Sequence, residues 1–353
     1  MQYRAFPALA TTPAIPAVSA FSAARAARSA RLPALGLLAV ATLVTLAPQP
    51  AQAGGAYPEK PVTIVVPFPP GGGTDTGARL LAQRLTELWG KAVVIENKPG
   101  AAGQIGSDYV ARARPDGYTL LMGNVGTHSI NPSLYKSSYE TVKHFAPVSL
   151  VAELPQIMVT APGNPAATVS QAIAAGKREP GKITYSSSGS GSSMHLAGAM
   201  FARQAGVDML HVSYKGGGPA VSDVMAGHVN YTFATLYETM GMIKGGKLKA
   251  VAVTGDKRAA AMPNVPTVAE AGLAGYEAVS WIGLLAPAGT PPALVGKISQ
   301  DVRAALADPK VKQMLIDQGA VPAGSTPEAF ASLMARDTMR YAKLIRELGI
   351  KVE

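Results

Sequence analysis

Four loops rich in glycine, serine and proline hold the residue types in this sequence that could bind a small anion. They span residues 67–75, 123–128, 186–195 and 215–219, and each lies between a predicted strand and a predicted helix. The start of a helix presents up to four free N–H groups and about half a positive charge. Glycine lets this backbone approach a ligand closely, and serine and threonine add hydroxyl donors. The four loops therefore indicate a site that binds a carboxylate without an arginine side chain.

The candidate ligand-binding residues are positions in these loops and on one later strand that offer a backbone amide, a hydroxyl group or a charge. They are Pro70, Gly71, Gly72, Gly73, Thr74, Asp75, Asn124, Thr127, Ser187, Ser188, Gly189, Ser190, Gly191, Ser192, His195, Lys215, Gly216 and Thr235. Glycine and serine also form ordinary turns and helix caps, so each loop has a purely structural alternative. Asp75 in particular has the alternative role of a cap or dipole partner at the first helix start.

Other chemistries fit the sequence poorly, and we expect no catalytic residue, no metal and no cofactor. The absence of cysteine excludes disulfides, thiolate zinc sites and cysteine nucleophiles, and the five histidines lack H-x-x-x-H spacing. Gly71, Gly73 and Gly77 form a pattern one residue longer than the dinucleotide-binding fingerprint, with prolines crowding the turn. Residues 241–247 fit a phosphate-binding loop, but Leu248 stands where a serine or threonine is required.

The first 53 residues have the order of a secretory signal peptide. Four arginines and no acidic residue precede the apolar run 32–47, and Ala51-Gln52-Ala53 then supplies a small-residue cleavage site. The run has 16 residues, short of a membrane-spanning helix, which needs ~20. We expect cleavage after Ala53 and a soluble, monomeric chain in the periplasm without a membrane anchor.

The charge of the chain argues against a nucleic acid as its partner. Loss of the four signal-peptide arginines lowers the net charge from +10 to +6. The remaining basic residues form no block and do not alternate with aromatic residues, as a nucleic-acid surface would require. A modest positive field instead suits a small anion that arrives by diffusion.

Strand-like and helical segments alternate along the expected mature chain. The β-branched run 62–66 precedes helical spacing over 78–89, and the last helix is predicted near 327–348. Two apolar stretches, 148–161 and 279–286, are also predicted to be strands. Alternation of this kind predicts an α/β fold of parallel, right-handed βαβ units with helices on both sheet faces.

Ordered sequence blocks over almost the whole expected mature chain resemble one family. The run YPEKPVTIVVPFPPGGGTDTGARLLAQRL, followed by VIENKPGAAGQIG, PDGYTLLMGN, ITYSSSGSGSSMHLAG, HVSYKGGGPAVSDVMAGHV, GGKLKAVAVTGDKR and MPNVPTVAEAGL, is similar to Bug receptors. These are the periplasmic substrate-binding proteins of tripartite tricarboxylate transporters. The resemblance implies that the ligand is a carboxylate, often a dicarboxylate or an amino acid. It also implies that the first glycine-rich loop and the Ser-Gly-Ser loop hold one ligand carboxylate through backbone amides and ordered waters.

The same resemblance implies a type II periplasmic-binding-protein fold, in which two α/β lobes enclose a cleft and are joined by two crossings. We expect lobe 1 to hold residues 54–157 and 281–353, and lobe 2 to hold 158–280. The crossings are expected at 156–161 and 279–286, which places Trp281 in the second crossing.

The leading prediction for function is a receptor that captures a small di- or tricarboxylate, or a related organic acid, and delivers it to membrane permease subunits. One competing class is a ligand-binding sensor that docks on a signalling kinase. Another is an exported hydrolase that uses Ser193 and His195. Their context is not G-x-S-x-G, and residues two apart on a helix do not face each other, so we expect no catalysis.

One departure from the family pattern bears on the ligand. Many relatives read Phe-Asp-Asn where this chain has Phe233-Ala234-Thr235. An ammonium group on the ligand would therefore lose an acidic partner, unless Tyr237 or Glu238 replaces it. The sequence thus favours an uncharged or purely anionic ligand.

Overall fold

The computed structural model describes residues 57–350 of the chain. The predicted signal peptide and its cleavage site lie outside these residues. The ten strands of the described part are β1 (Val62–Val66), β2 (Val93–Asn97), β3 (Thr119–Asn124), β4 (Phe145–Thr160), β5 (Ile183–Ser187), β6 (Met209–Ser213), β7 (Tyr231–Thr235), β8 (Lys249–Val253), β9 (Val279–Pro287) and β10 (Val321–Pro322).

Helices connect most of these strands. They are α1 (Gly73–Trp89), α2 (Gln104–Ala111), α3 (Asn131–Leu134), α4 (Thr141–His144), α5 (Val169–Arg178), α6 (Ser193–Ala205), α7 (Gly217–Met225), α8 (Leu236–Lys244), α9 (Pro292–Ala307), α10 (Pro309–Asp317) and α11 (Pro327–Leu348). A short 3-10 turn lies at Ala101–Gly103 and a π-helical turn at Gly126–Ile130. None of the helices within residues 57–350 combines the length and the apolarity that crossing a membrane requires.

The strands form a sheet in the order β2-β1-β3-β9-β4-β7-β5-β6, and β8 and β10 also pair with β4. The outer groups are parallel, as predicted: β1 pairs with β2 and β3, and β5 pairs with β6 and β7. The two central strands, whose direction the sequence pattern leaves open, are antiparallel to their neighbours: β9 pairs with β3 and β4, and β4 pairs with β7 and β8. The chain passes along β4 from one parallel group to the other and returns along β9, so these two strands run in opposite directions.

The long strand β4 links the two parallel groups and is antiparallel to each strand with which it pairs. Its first part, from Phe145 to Pro155, pairs with β9, and its last part, from Gln156 to Thr160, pairs with β7. The register with β9 shifts at two places, which bends the strand.

Four clusters of buried apolar side chains surround this sheet. Two of them draw mainly on β1, β3, β9 and the first part of β4, which α1, α2, α9, α10 and α11 cover. The other two draw mainly on the last part of β4, on β5, β7 and β8, and on helices α5 to α8. Strands such as β1 are apolar on both faces because helices cover both sides of a parallel sheet.

The helices α1, α6, α7 and α8 matter most for function, because each is the first helix after the carboxyl end of a parallel strand. Leu81 and Leu85 give α1 an apolar stripe that packs on the sheet, and Gly90 ends the helix with a left-handed φ of 61°. The sheet thereby fixes where four helix starts lie.

Candidate functional site

A cavity of about 460 Å³ lies where these helix starts meet the strands β4 and β9. Its wall includes the following residues that the sequence predicted as ligand-binding: Pro70, Gly71, Gly72, Gly73, Thr74, Asn124, Ser188, Lys215, Gly216 and Thr235. Residues from all four predicted loops or their flanking strands and helices are thus brought to one place. Its size suits a small organic molecule.

The start of α1 forms one wall of the cavity. Gly72 is the N-cap residue in an extended conformation, and no side chain caps the helix. The first amides of a helix have no partner within it, so this wall offers donors to an anion. Gly71 has a φ of 89°, a conformation that glycine adopts without strain, and it turns the chain into the helix.

Asp75 lies behind this loop and does not line the cavity. Its side chain is buried, and its carboxylate accepts hydrogen bonds from the Gly71 amide at 2.9 Å, Arg79 Nε at 2.9 Å and Asn97 Nδ2 at 2.8 Å. Burial alone would raise the pKa of Asp75, but the hydrogen bonds from Arg79, Asn97 and Gly71 outweigh it and hold the pKa below its ordinary value. Asp75 therefore stabilises the glycine loop in its bent conformation.

The serine-rich loop contributes Ser188 to the cavity wall, and most of its other side chains brace the loop itself. Ser187 Oγ lies 2.7 Å from His211 Nε2 and donates to the Gly189 carbonyl at 3.0 Å. Ser192 caps α6 by accepting from the His195 amide at 3.2 Å. Ser188 and the first residues of α6 face the cavity instead. Ser187, Gly189, Ser190, Gly191 and Ser192 lie beside the cavity wall and shape it.

Two stacked histidines support this loop from beneath. The rings of His195 and His211 lie 3.8 Å apart, and His195 Nδ1 accepts from the Gly191 amide at 3.0 Å. Burial lowers the pKa of His195 to about 3, with a smaller contribution from His211, and burial lowers the pKa of His211 to about 4. Both rings are neutral near pH 7 and act as packing and hydrogen-bonding groups.

Of the residues predicted to bind the ligand outside the first glycine-rich loop and the serine-rich loop, four line the cavity and one is fully buried and does not line it. Asn124 faces the cavity and donates to Thr74 Oγ1 at 3.2 Å. Thr127 is fully buried, where its hydroxyl contacts the Asn124 carbonyl and His128. Lys215 is exposed at the mouth of the cavity, and Thr235 caps α8.

Several wall residues are absent from the sequence-based set. They are Phe68, Pro69, Leu154, Ser193, Met194, Gly217, Gly218, Pro219, Glu238 and Ser280. Leu154 and Ser280 lie on the two long strands, which pass beneath the cavity. Their only signal in the sequence was that they lie near the predicted crossings.

The wall has no arrangement suited to nucleophilic catalysis. Ser193 Oγ faces the cavity and accepts from Gln156 Nε2 at 3.4 Å, which is a donor and not a base. His195 has its Nδ1 occupied by the Gly191 amide. The cavity can instead hold an anion through amides, hydroxyl groups and Lys215.

Solved structures have the same architecture, among them the periplasmic binding protein BugD, with a TM-score of 0.79 at 37% identity, covering 84% of this chain and 100% of that one. A protein of R. palustris solved with adipate has a TM-score of 0.81 at 34% identity, covering 84% of this chain and 99% of that one. MatC from Rhodopseudomonas palustris with bound malate has a TM-score of 0.77 at 33% identity, covering 82% of this chain and 100% of that one. The fold and the anion-oriented cleft thus define a solute-binding receptor, and the predicted fold class is confirmed by these structures.

The sequence comparison gives the family. The model of the tripartite tricarboxylate transporter family receptor matches residues 77–350. Protein BugT of Bordetella pertussis is 35% identical over 303 residues, which cover 84% of this chain and 92% of BugT. The chain belongs to the tripartite tricarboxylate transporter receptor family. This confirms the resemblance seen in the sequence and the expectation of a receptor and not an enzyme, because the matching family is one of transporter receptors.

Proposed function

We propose that the mature chain is a periplasmic receptor that binds a small carboxylate and delivers it to the permease subunits of a tripartite transporter. The observation that carries this proposal is the cavity onto which the starts of α1, α6, α7 and α8 open. Each helix start attracts negative charge, and the wall holds a lysine but no arginine. The relatives solved with adipate and malate support a carboxylate as the ligand.

The proposal includes two lobes that close on the ligand. Lobe 1 holds residues 54–157 and 281–353, and lobe 2 holds 158–280. The separation of the four apolar clusters along the same line supports this division. The strands β4 and β9 then act as the crossings about which the lobes move.

Export and assembly complete the proposal. The signal peptide is removed after Ala53, and the mature receptor is a monomer in the periplasm. Mass spectrometry of a periplasmic extract should find a chain that begins at Gly54. Recovery of residues 32–47 with the membrane fraction would contradict export by cleavage.

The binding site is tested most simply by Gly72→Val. The extended backbone at Gly72 accepts valine, and a Cβ there would lie 3.5 Å from Glu238 Oε1, which is ordinary van der Waals contact. The added side chain would occupy the wall from which the α1 amides reach the ligand. Loss of one charge-assisted hydrogen bond costs about 1.5–3 kcal/mol, or about ten- to hundredfold in affinity.

Isothermal titration calorimetry with malate, adipate, succinate, citrate and glutamate would measure this loss. Gly163→Val is the matched control, because Gly163 lies in an exposed turn with open space around its Cβ position. We expect the control to bind as the wild type does. Unchanged binding of a carboxylate by Gly72→Val would place the ligand elsewhere.

A further inference from the structure

Glu238 places a negative charge inside the cavity at the meeting point of three helix starts. It is the third residue of α8, where its Oε2 accepts from the Thr235 amide at 3.4 Å and the Thr235 hydroxyl at 3.1 Å. Its Oε1 accepts from the Gly73 amide at 3.2 Å, at the start of α1. The side chain is only partly buried and lines the cavity wall.

The third helix start is that of α7, which approaches the same carboxylate closely. A Cβ at Gly217 would lie 2.6 Å from Glu238 Oε1 and 3.3 Å from Oε2, so a side chain there would displace the carboxylate. Helix starts attract negative charge, and here the protein supplies part of that charge itself. A ligand carboxylate bound next to Glu238 would meet a like charge.

Within residues 57–350, none of the groups that donate hydrogen bonds to Glu238 carries a formal charge. Its three donors are two backbone amides and a hydroxyl, all of them neutral. A carboxylate offers about four acceptor sites, so one acceptor site beyond these three hydrogen bonds remains for a ligand. The ionisable side chains on the wall are Glu238 and Lys215, which make the wall neutral in total.

Resting on the proposed carboxylate-receptor function, we propose that Glu238 determines ligand specificity. It does so by interacting with the end of the ligand opposite the bound carboxylate. It selects carboxylates whose other end donates hydrogen bonds, best of all a protonated amine, and it disfavours dicarboxylates. A second carboxylate near Glu238 is repelled in a partly desolvated cavity, whereas an ammonium group forms a charge-assisted hydrogen bond there. This reverses the expectation drawn from Ala234, because Glu238 supplies the acidic group that the strand lacks.

The test compares wild-type receptor with Glu238→Gln. Glutamine keeps an oxygen acceptor at the third position of α8 and so can preserve the capping arrangement with Thr235. Glu153→Gln is the matched control, because it removes the same charge from an exposed position on β4 outside the cavity wall. Binding is measured by calorimetry after a thermal-shift screen.

The probes are sets of equal length that differ only at one end. They are butyrate, succinate and γ-aminobutyrate; valerate, glutarate and δ-aminovalerate; and caproate, adipate and ε-aminocaproate. In the set that fits best, we expect wild type and Glu153→Gln to bind the amino acid about tenfold or more tightly than the dicarboxylate. Glu238→Gln should lose this preference through weaker amino acid binding and stronger dicarboxylate binding.

The outcomes separate this proposal from the function on which it rests. If a dicarboxylate binds wild type most tightly and Glu238→Gln leaves the ratio unchanged, the selectivity proposal is wrong while the receptor function stands. If Glu153→Gln changes the ratio of amino acid to dicarboxylate affinity as much as Glu238→Gln does, the preference depends on the net charge of the protein. The proposal that contact with Glu238 sets the preference is then wrong. If no probe binds any of the three proteins, the carboxylate-receptor function fails, and the selectivity proposal fails with it.

Discussion

Asp75 offers a sharp test of how the glycine loop is held, because its role is structural and its contacts are well defined. Asp75→Ala removes the acceptor of the Gly71 amide and of Asn97 Nδ2, both bonded to a buried carboxylate. Hydrogen bonds to a charged group contribute about 1.5 kcal/mol or more each. The Arg79 side chain is 51% exposed, so its ion pair adds only about 0.5 kcal/mol.

The expected loss of unfolding free energy is therefore about 3–4 kcal/mol, which corresponds to a drop in Tm of about 5–6 °C for a chain of this size. Calorimetry and urea unfolding at pH 7 would measure it. The pKa of Asp75 is lowered in the fold, so its stabilisation is present above the unfolded pKa near 4 and is lost as the pH falls through the folded value. The deficit of Asp75→Ala should accordingly shrink in acid.

Asp108→Ala is a matched control for this measurement. Asp108 also pairs with an arginine four residues later at 2.9 Å, but its side chain is 27% exposed and that of Arg112 is 70% exposed. Such a pair contributes less than about 1 kcal/mol. Equal losses of unfolding free energy in the two variants would show that burial and the hydrogen bond from the Gly71 amide do not make Asp75 more stabilising than Asp108.

Two further predictions concern buried rings. Burial lowers the pKa of His128 and His195 to about 3, so both stay neutral in the fold while the unfolded chain takes up protons below about pH 6.5. Unfolding free energy should fall by about 1.4 kcal/mol per pH unit for each as the pH drops from 6.5. The unfolding free energy from urea titrations should depend less on pH in His128→Asn than in wild type or in the exposed-site control His228→Asn. Equal slopes for the three proteins would refute the conclusion that His128 stays neutral in the fold. Trp281 is buried, donates to Asp337 at 2.7 Å and lies next to a cavity residue on β9. Its fluorescence should change on ligand binding, and the change should vanish in Trp281→Phe; unchanged emission and unchanged small-angle scattering at saturation would contradict lobe closure.

The sequence predicts many elements well where periodicity is strong. The bounds predicted for β1 and α11 agree with the structure, because one is a continuous β-branched run and the other begins at a proline after a capping threonine. The predicted start of the first helix, residue 78, lies five residues after the observed start of α1 at Gly73. Glycines at its first turn weaken the helical signal, although the turn forms because the loop is held from Asp75 and Glu238.

Direction and side-chain orientation were harder to predict. Local pattern does not show whether a strand is parallel or antiparallel, so the antiparallel direction of the central strands β4 and β9 could not be predicted. The pattern also does not show that Ser187 bonds to His211 or that Glu238 reaches Gly73, which lies 165 residues away in the chain. Such contacts depend on which helix starts the sheet brings together.

The most direct test of the central claim is a crystal structure of the receptor with a carboxylate that calorimetry shows to bind. We expect a carboxylate group in the cavity, with its oxygens about 3 Å from backbone amides at the start of α1 and from donors of the serine-rich loop. A carboxylate bound outside the cavity, or one held there without any of these amides, would contradict the account.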